Sequence, residues 1–403
     1  MLPLRPQELP PTAGLPLCAR DLLPGPPSLA DDLAALLGTP PLQLECSGTA
    51  CLLIALTALR ELQPQRRRVV VPAYTCPLVA IAVQQAGLEL QLCDLRLGHY
   101  DMDPQALRAA CDERTLAIVP THLAGRIADV GDALNVARNV GACVIEDAAQ
   151  ALGARHHGTS VGLAGDIGFF SLAAGKGLSI YEGGLLLARD PAMRARLADT
   201  AARIVPRSVG WESRRSLELL GYAALYRPRG LRAAYGRPLR RSLHRGDPVA
   251  AIGDDFPLTI PLHRVGRWRQ GVGAHAVPRL PGFIAQTTAQ ARKRLPRLRQ
   301  IAGVEVFDDA ADAQGTWPFL LLLLPDRIRR DRALERLWES GLGVSRLFIH
   351  ALPDYTYLTG IVSPQDVPHA RDFAARSLSI GNSPWMTDED FELICRTLET
   401  ALD

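Results

Sequence analysis

The chain of 403 residues is 47% apolar and 22% charged, with 45 Lys+Arg against 42 Asp+Glu and a formal net charge of +3. This is a globular composition, long enough for two or three domains, and it excludes wholesale disorder. The near balance of charge also argues against a dedicated nucleic-acid binder, whose domain is strongly basic. Only Lys176 and Lys293 are lysines; the other 43 basic residues are arginine. Any lysine chemistry therefore has two candidates. The eight cysteines (18, 46, 51, 76, 93, 111, 143 and 395) form no Cys-x-x-Cys pair and mostly sit in apolar runs. They read as small buried hydrophobes of a reducing compartment, and neither a disulfide framework nor a metal site is expected. The N-terminal stretch lacks a charged segment followed by an apolar one, and the apolar run near Phe319–Leu324 is far too short for a membrane span. The expectation is a cytoplasmic protein.

Residues 1–30, rich in Pro and Leu, read as an irregular arm packed on the body. From there to about 200 the pattern alternates. The spacing predicts strands over Val69–Val71, Leu88–Leu95, Leu116–Val119, Cys143–Asp147, Ile167–Ser171 and Gly184–Ala188. Between them it predicts helices over Thr49–Leu62, Leu78–Gln85, Pro104–Cys111, Asp129–Val140 and Pro191–Arg203. Strands separated by helices of this length imply β-α-β units, a mostly parallel sheet flanked by helices, and ligands at the carboxyl ends of the strands. Residues 201–247 break the rhythm with eleven arginines against Glu212, Glu218 and Asp247. This insertion reads as helical and solvated; the alternative is a surface for anionic lipid, a phosphorylated substrate or a partner chain. Helical patterns at Ala285–Ala302, Asp331–Ser340 and Thr387–Leu402, with a strand at Thr316–Leu324, suggest a small C-terminal α+β domain. The division expected is a large domain over 31–265, with the insertion at about 205–250, and a small one over 266–403.

Three segments carry candidate chemistry. Ser47-Gly48-Thr49-Ala50 precedes an apolar helix. A small-residue turn there exposes backbone N–H groups and the positive end of the dipole, which suits a phosphate as well as an ordinary serine cap. Asp147 falls at the carboxyl end of a strand, where a carboxylate is costly unless it meets a cation or several donors. A protonated ring nitrogen is one such cation. Lys176 lies in a Gly-rich loop between two apolar strands, where its amine is a candidate Schiff-base nucleophile. A phosphate cradle, a strand-end Asp and a loop Lys, in that order on an α/β sheet, match the needs of pyridoxal 5′-phosphate.

With these residues in place, the sequence resembles the DegT/DnrJ/EryC1/StrS sugar aminotransferases, which are fold-type I pyridoxal-phosphate enzymes. The resemblance rests on CSGTACLLIAL, VVVPAYTCPLVAIAVQQAGLELQLCDL, IVPTHLAGRIAD, VIEDAAQALGARHHGTSVGLAGDIGFFS and GKGLSIYEGG. It resumes at GLGVSRLFIHALPDY and LSIGNSPWMTDEDFELICRTLETAL. The EDAAQ…GDIG-x-FS…K…EGG series is the most specific part. The resemblance implies that Gly48, Thr49 and Ala50 hold the cofactor phosphate, with Ser171 adding a hydroxyl. It implies that Asp147 pairs with the pyridinium nitrogen, Gln150 lies near the phenolic oxygen, and Lys176 is the Schiff-base lysine and proton shuttle. His122 matches a family position near the site without an assigned step. Cys76 stands where the family carries an aromatic residue that stacks on the ring, and Tyr74 or another side chain is the candidate substitute. Gly177 follows the lysine where the family has Asn. The Gly-Tyr-Asn-Tyr-Arg stretch that reaches the partner's cofactor phosphate is absent.

The expected activity is transfer of an amino group from an amino acid, with glutamate the leading donor, to a keto group of a nucleotide-linked sugar. The expected assembly is a homodimer with the active site at the interface. The arginines of the insertion and Arg346 are candidates for an anionic part of the substrate. The alternatives are the same fold acting on a different carbonyl substrate or doing other pyridoxal chemistry, and a non-catalytic relative.

Overall fold

The computed structural model describes residues 5–403. Its centre is a seven-stranded sheet in the order Gln43–Glu45, Gly184–Ala188, Ile167–Ser171, Cys143–Asp147, Thr115–Ile118, Arg68–Pro72, Glu89–Cys93. The last five run parallel. Gly184–Ala188 turns antiparallel against Ile167–Ser171, and the edge strand Gln43–Glu45 is antiparallel to it in turn. The sheet is thus mostly parallel, as the alternation implies. Its short edge strand, Gln43–Glu45, escapes the sequence pattern because three residues carry no readable periodicity.

The six predicted strands and five predicted helices all form, with ends shifted by at most two residues. Inner strands are apolar on both faces, as a sheet covered on both sides requires. Val69 and Val71 pack with Ile145 and Phe169 on one face. Val70 packs with Ile118 and Val144 on the other. Helix Gly48–Leu62 is buried over most of its length against the first of these cores, whereas Val130–Val140 buries one stripe against the second.

A second sheet, all antiparallel, runs in the order Glu305–Val306, Phe319–Leu323, Ser377–Gly381, Val344–Ser345. Its strand Ser377–Gly381, not foreseen from the sequence, is fully buried between its neighbours. The closing helix Asp388–Leu402 starts as predicted: Thr387 and Asp390 form a reciprocal capping box. Two other helices start earlier than predicted. Arg327–Leu337 is capped by Asp326, which accepts the Arg329 N–H at 2.8 Å. Leu280–Arg299 begins with Pro281 in its first turn, where a missing N–H costs nothing.

The arm is mostly irregular up to residue 28 and is pinned by backbone bonds. Leu9 N–H reaches Gly341 O at 2.8 Å, Ala13 N–H reaches Pro318 O at 2.7 Å, and Leu15 N–H reaches Gly177 O at 3.0 Å. It therefore joins the second sheet to the loop that carries Lys176.

Candidate active site

At the carboxyl ends of the parallel strands lies a cavity of about 710 Å³. Its floor is made by elements that the sequence marked. Helix Gly48–Leu62 points its N-terminus at the cavity. The first N–H groups of a helix have no partner within it. Ser47 is the cap, and its hydroxyl accepts the Ala50 N–H at 3.0 Å. Gly48 and Thr49 line the cavity, and so does Ser171 opposite. Ala50 does not: it is buried behind the cap and its amide is already taken. The expectation that Ala50 shares in a phosphate site is therefore corrected, because serine capping spends that donor. The floor is tight. A Cβ on Gly48 would stand 3.2 Å from the Ser171 Cβ.

Asp147 ends its strand in the cavity wall and is 4% exposed. One oxygen accepts the Ala149 N–H at 3.0 Å. Burial raises its pKa above the ordinary carboxylate value, opposed by that amide and by the charge of Lys176. Lys176 also lines the cavity, in a turn where Gly175 takes φ +76°, a conformation that favours glycine. Burial lowers the lysine's pKa, while Cys76 and Asp147 pull it back up. Gln150 lines the same space, its side-chain oxygen fixed by the Ala124 N–H at 2.9 Å.

Two expectations about the surroundings change. Tyr74 does not replace the ring-stacking aromatic. It is wholly buried outside the cavity, with its hydroxyl on the Phe348 backbone at 3.2 Å and its ring edge-on to Phe348 and Phe373. Cys76 itself lines the cavity, and burial pushes its thiol up to about 12. His122 is also withdrawn. Its Nδ1 accepts the Ala128 N–H at 3.0 Å, so Nε2 carries the proton and donates to Glu146 at 3.1 Å. Glu146 takes further N–H bonds from Gly162 and Gly165, so His122 orders the loops beneath the site.

The arginine-rich segment is helical, as expected, but one end of it is far from solvated. Helix Val209–Leu225 brings Trp211, Arg214 and Arg215 into the cavity wall. Arg215 pairs with Glu182 of the EGG motif and with Glu218, the latter at 2.6 Å; Arg214 holds Glu218 at 3.0 Å. Beneath them Arg269, fully buried, grips Glu212 through two bonds of 2.9 and 2.6 Å and the Glu182 carbonyl at 2.5 Å. The insertion is thereby bolted to the strand that follows the lysine loop. Arg346 also reaches the wall, but it donates to the carbonyls of Ile349 and Ala374 at 2.6 and 2.8 Å.

Neither periodicity nor motif marks a further wall segment, Gly253 to Pro261, nor Pro11 and Thr12 from the arm. Within that segment Asp254 is 4% exposed. The Tyr355 hydroxyl donates to it at 2.6 Å and the Ile349 N–H at 3.0 Å, both to Oδ2. Burial raises its pKa to about 6 against these bonds and the charge of Arg346. The adjacent acids Asp254-Asp255 in a short apolar stretch were the available signal.

Among known proteins, the model of the DegT/DnrJ/EryC1/StrS aminotransferase family matches residues 27–235. A UDP-N-acetyl-3-dehydro-alpha-D-glucosamine 3-aminotransferase of Acidithiobacillus ferrooxidans is 39% identical over 152 residues, 38% of this chain and 41% of its own length. The chain thus spans less than half of that relative. The erythromycin biosynthesis sensory transduction protein EryC1 of Saccharopolyspora erythraea is 25% identical over 358 residues, 87% of this chain and 84% of its own. Among solved structures, DesI in the presence of its TDP-sugar product superposes with a TM-score of 0.74 at 20% identity, covering 99% of this chain and 94% of that one. That likeness establishes the shared fold. Among the described residues, no helix is long and apolar enough to cross a membrane.

Proposed function

The chain belongs to the DegT/DnrJ/EryC1/StrS aminotransferase family, and on that premise we propose that it transfers an amino group from an amino acid, glutamate first, to a keto group of a sugar-like acceptor. The family's cofactor is pyridoxal 5′-phosphate, which when bound supplies an aldehyde and an electron-accepting ring. The observation that carries the reading is the meeting of Lys176, buried Asp147 and the Gly48–Thr49–Ser171 floor in one cavity.

The residues fit the group. Gly48 and Thr49 offer N–H donors at a helix N-terminus, and Ser171 a hydroxyl, for the phosphate. The missing Cβ at Gly48 leaves the space such a group needs. Asp147 offers a buried carboxylate to hold a proton on a ring nitrogen. Gln150 flanks the ring edge. Lys176 would bind the aldehyde carbon. Its Nζ, when free, would serve as the base that takes up and returns a proton during amino transfer. Burial favours the neutral amine that this step requires.

A nucleotide-linked keto-sugar is the acceptor we favour, by analogy with DesI and its TDP-sugar product. One observation favours an acceptor without a nucleotide. Arg214 and Arg215 face Glu218 and Glu182, so the insertion's charge at the wall is balanced rather than left over for a diphosphate. We also propose that the enzyme works as a homodimer with its sites at the interface, as the family resemblance implies.

The test is a visible absorption spectrum of the purified protein, loaded with pyridoxal 5′-phosphate, before and after L-glutamate, beside Lys176→Ala. A yellow band that glutamate bleaches in the wild type, absent or altered in the variant, supports the amino-donor half of the reaction. A yellow protein indifferent to glutamate and glutamine overturns that donor assignment. A protein that cannot be loaded overturns the reading altogether.

A further inference from the structure

The wall segment Gly253–Pro261 takes no part in the cofactor floor, yet it places a carboxylate in the cavity. Asp254 is almost wholly buried, and among the described residues no basic side chain pairs with it. Its nearest source of positive charge, Arg346, spends donors on two backbone carbonyls. A buried carboxylate without a cation is costly to keep. Here its position is nevertheless heavily specified. Oδ2 receives both the Tyr355 hydroxyl at 2.6 Å and the Ile349 N–H at 3.0 Å. The Asp254 carbonyl is held by the Tyr357 hydroxyl at 2.6 Å. Among the described residues both donors to the carboxylate fall on Oδ2, and Oδ1 receives none.

Its place in the cavity separates it from the cofactor floor. Lys176 and Asp147 belong to the loop and strand end at the cofactor floor, whereas Asp254 comes from a separate wall segment of the same cavity. Asp254 lines the cavity on the Gly253–Pro261 segment, apart from the Gly48, Thr49 and Ser171 floor. Phe256 and Phe348 line the same cavity and give it apolar surface.

We propose that Asp254 is a specificity-determining residue, whose Oδ1 accepts a hydrogen bond from a ring hydroxyl of a polyhydroxylated cyclic acceptor. This rests on the aminotransferase reading above and adds to it the residue that reads the acceptor's hydroxyls. The assignment holds for a sugar or a cyclitol, with or without a nucleotide.

Asp254→Asn is the informative change. Tyr355 and Ile349 both donate, so the amide must turn its oxygen toward them and its NH2 toward the cavity. Internal bonds are kept while the free acceptor becomes a donor. Tyr355→Phe is the second variant: it keeps the carboxylate but loosens its hold.

The experiment follows the bleaching of the holoenzyme's visible band in single turnovers. The probes are L-glutamate and a panel of amino-hexoses and aminocyclitols, free and UDP-linked, each beside its single-deoxy analogues. The expected result is that at least one hydroxylated amine bleaches the wild type. Asp254→Asn then raises its half-saturating concentration about 10- to 100-fold, the usual range for losing a hydrogen bond to a charged group. The glutamate half-reaction changes by less than this, and the effect vanishes for one deoxy analogue. Tyr355→Phe gives a smaller change of the same sign. Equal handling of every panel member by wild type and Asp254→Asn overturns the proposal. So does an equal loss of the glutamate half-reaction, which marks a structural role. If glutamate bleaches the wild type and no hydroxylated amine does, the polyol class is wrong and the proposal falls. If glutamate also fails, it is the aminotransferase reading that falls.

Discussion

Gly48 and Ser171 meet across the cavity floor, with a virtual Cβ on the glycine 3.2 Å from the serine Cβ. The pair brings a helix N-terminus and a strand-end hydroxyl to the same point. Gly184 supports them from behind, because a Cβ there would strike the Ser47 carbonyl oxygen at 2.3 Å and the Gly48 nitrogen at 2.6 Å.

The two glycines should therefore fail differently when a methyl is added. Gly48→Ala should fold, since Ser171 can give by a few tenths of an ångström, but its affinity for pyridoxal 5′-phosphate should drop by at least about 10-fold, or 1.4 kcal/mol. Gly184→Ala pushes against backbone and should instead lower the melting temperature or prevent soluble expression. Absorbance titration of the apo protein with cofactor, beside thermal unfolding, separates the two. Equal affinity of Gly48→Ala and wild type would remove Gly48 from the cradle.

Asp147→Asn keeps a side-chain acceptor for the Ala149 N–H but removes the charge. The variant should still bind cofactor, while its half-reaction with glutamate slows by about 10²- to 10⁴-fold, the range of a lost proton-handling group. Stopped-flow bleaching of the visible band measures it. An unchanged rate would mean that no ring nitrogen relies on this carboxylate.

Asp254 gives a signed pH dependence. Its folded pKa of about 6 lies above the value near 3.9 of an unfolded aspartate. Below about pH 4 both states are protonated and the group has no effect. Between about pH 4 and 6 the folded state binds more protons, so stability falls as pH rises. The full loss at neutral pH is of the order of 3 kcal/mol. Asp254→Asn does not titrate, so its melting temperature should gain on the wild type's between pH 4 and 7. A constant difference over that range would show that Asp254 titrates as an exposed carboxylate does.

Removing Arg269 should loosen the insertion. Its guanidinium is fully buried and serves both Glu212 and the Glu182 carbonyl. Arg269→Ala leaves a carboxylate and a carbonyl unpaired, at a cost of about 3–5 kcal/mol. Trp211, one residue from Glu212 and part of the cavity wall, should report the change as a fluorescence shift. A stable variant with unshifted fluorescence would show that helix Val209–Leu225 is held by other contacts.

His122→Leu tests a purely architectural role. Glu146 would lose one of three donors, costing about 1–3 kcal/mol. The melting temperature should fall, while the visible band of the loaded enzyme keeps its position. A displaced band would bring His122 back into the site's chemistry.

Much of this protein was determined locally. The alternation of short apolar runs with amphipathic segments was enough to place Cys143–Asp147 and Ile167–Ser171 to the residue, because a strand covered on both faces must be apolar throughout. Asp147 and Lys176 stood out for the same reason: each interrupts an apolar or small-residue context that disfavours charge. What depended on distant packing could not be read. Whether Ala50 offers its amide depends on which way the Ser47 hydroxyl turns. Whether Tyr74 faces the cavity depends on Phe348 and Phe373, some 270 and 300 residues further on. The charge of the arginine-rich segment that reaches the cavity is balanced partly within its own helix, by Glu218, and partly by Glu182 from the loop before Gly184–Ala188. Asp254 owes its burial to Tyr355 and Ile349. Periodicity reports the environment that a residue's own strand or helix imposes. Only the tertiary structure decides which side chain arrives from elsewhere to satisfy a donor, neutralise a charge or leave one oxygen free.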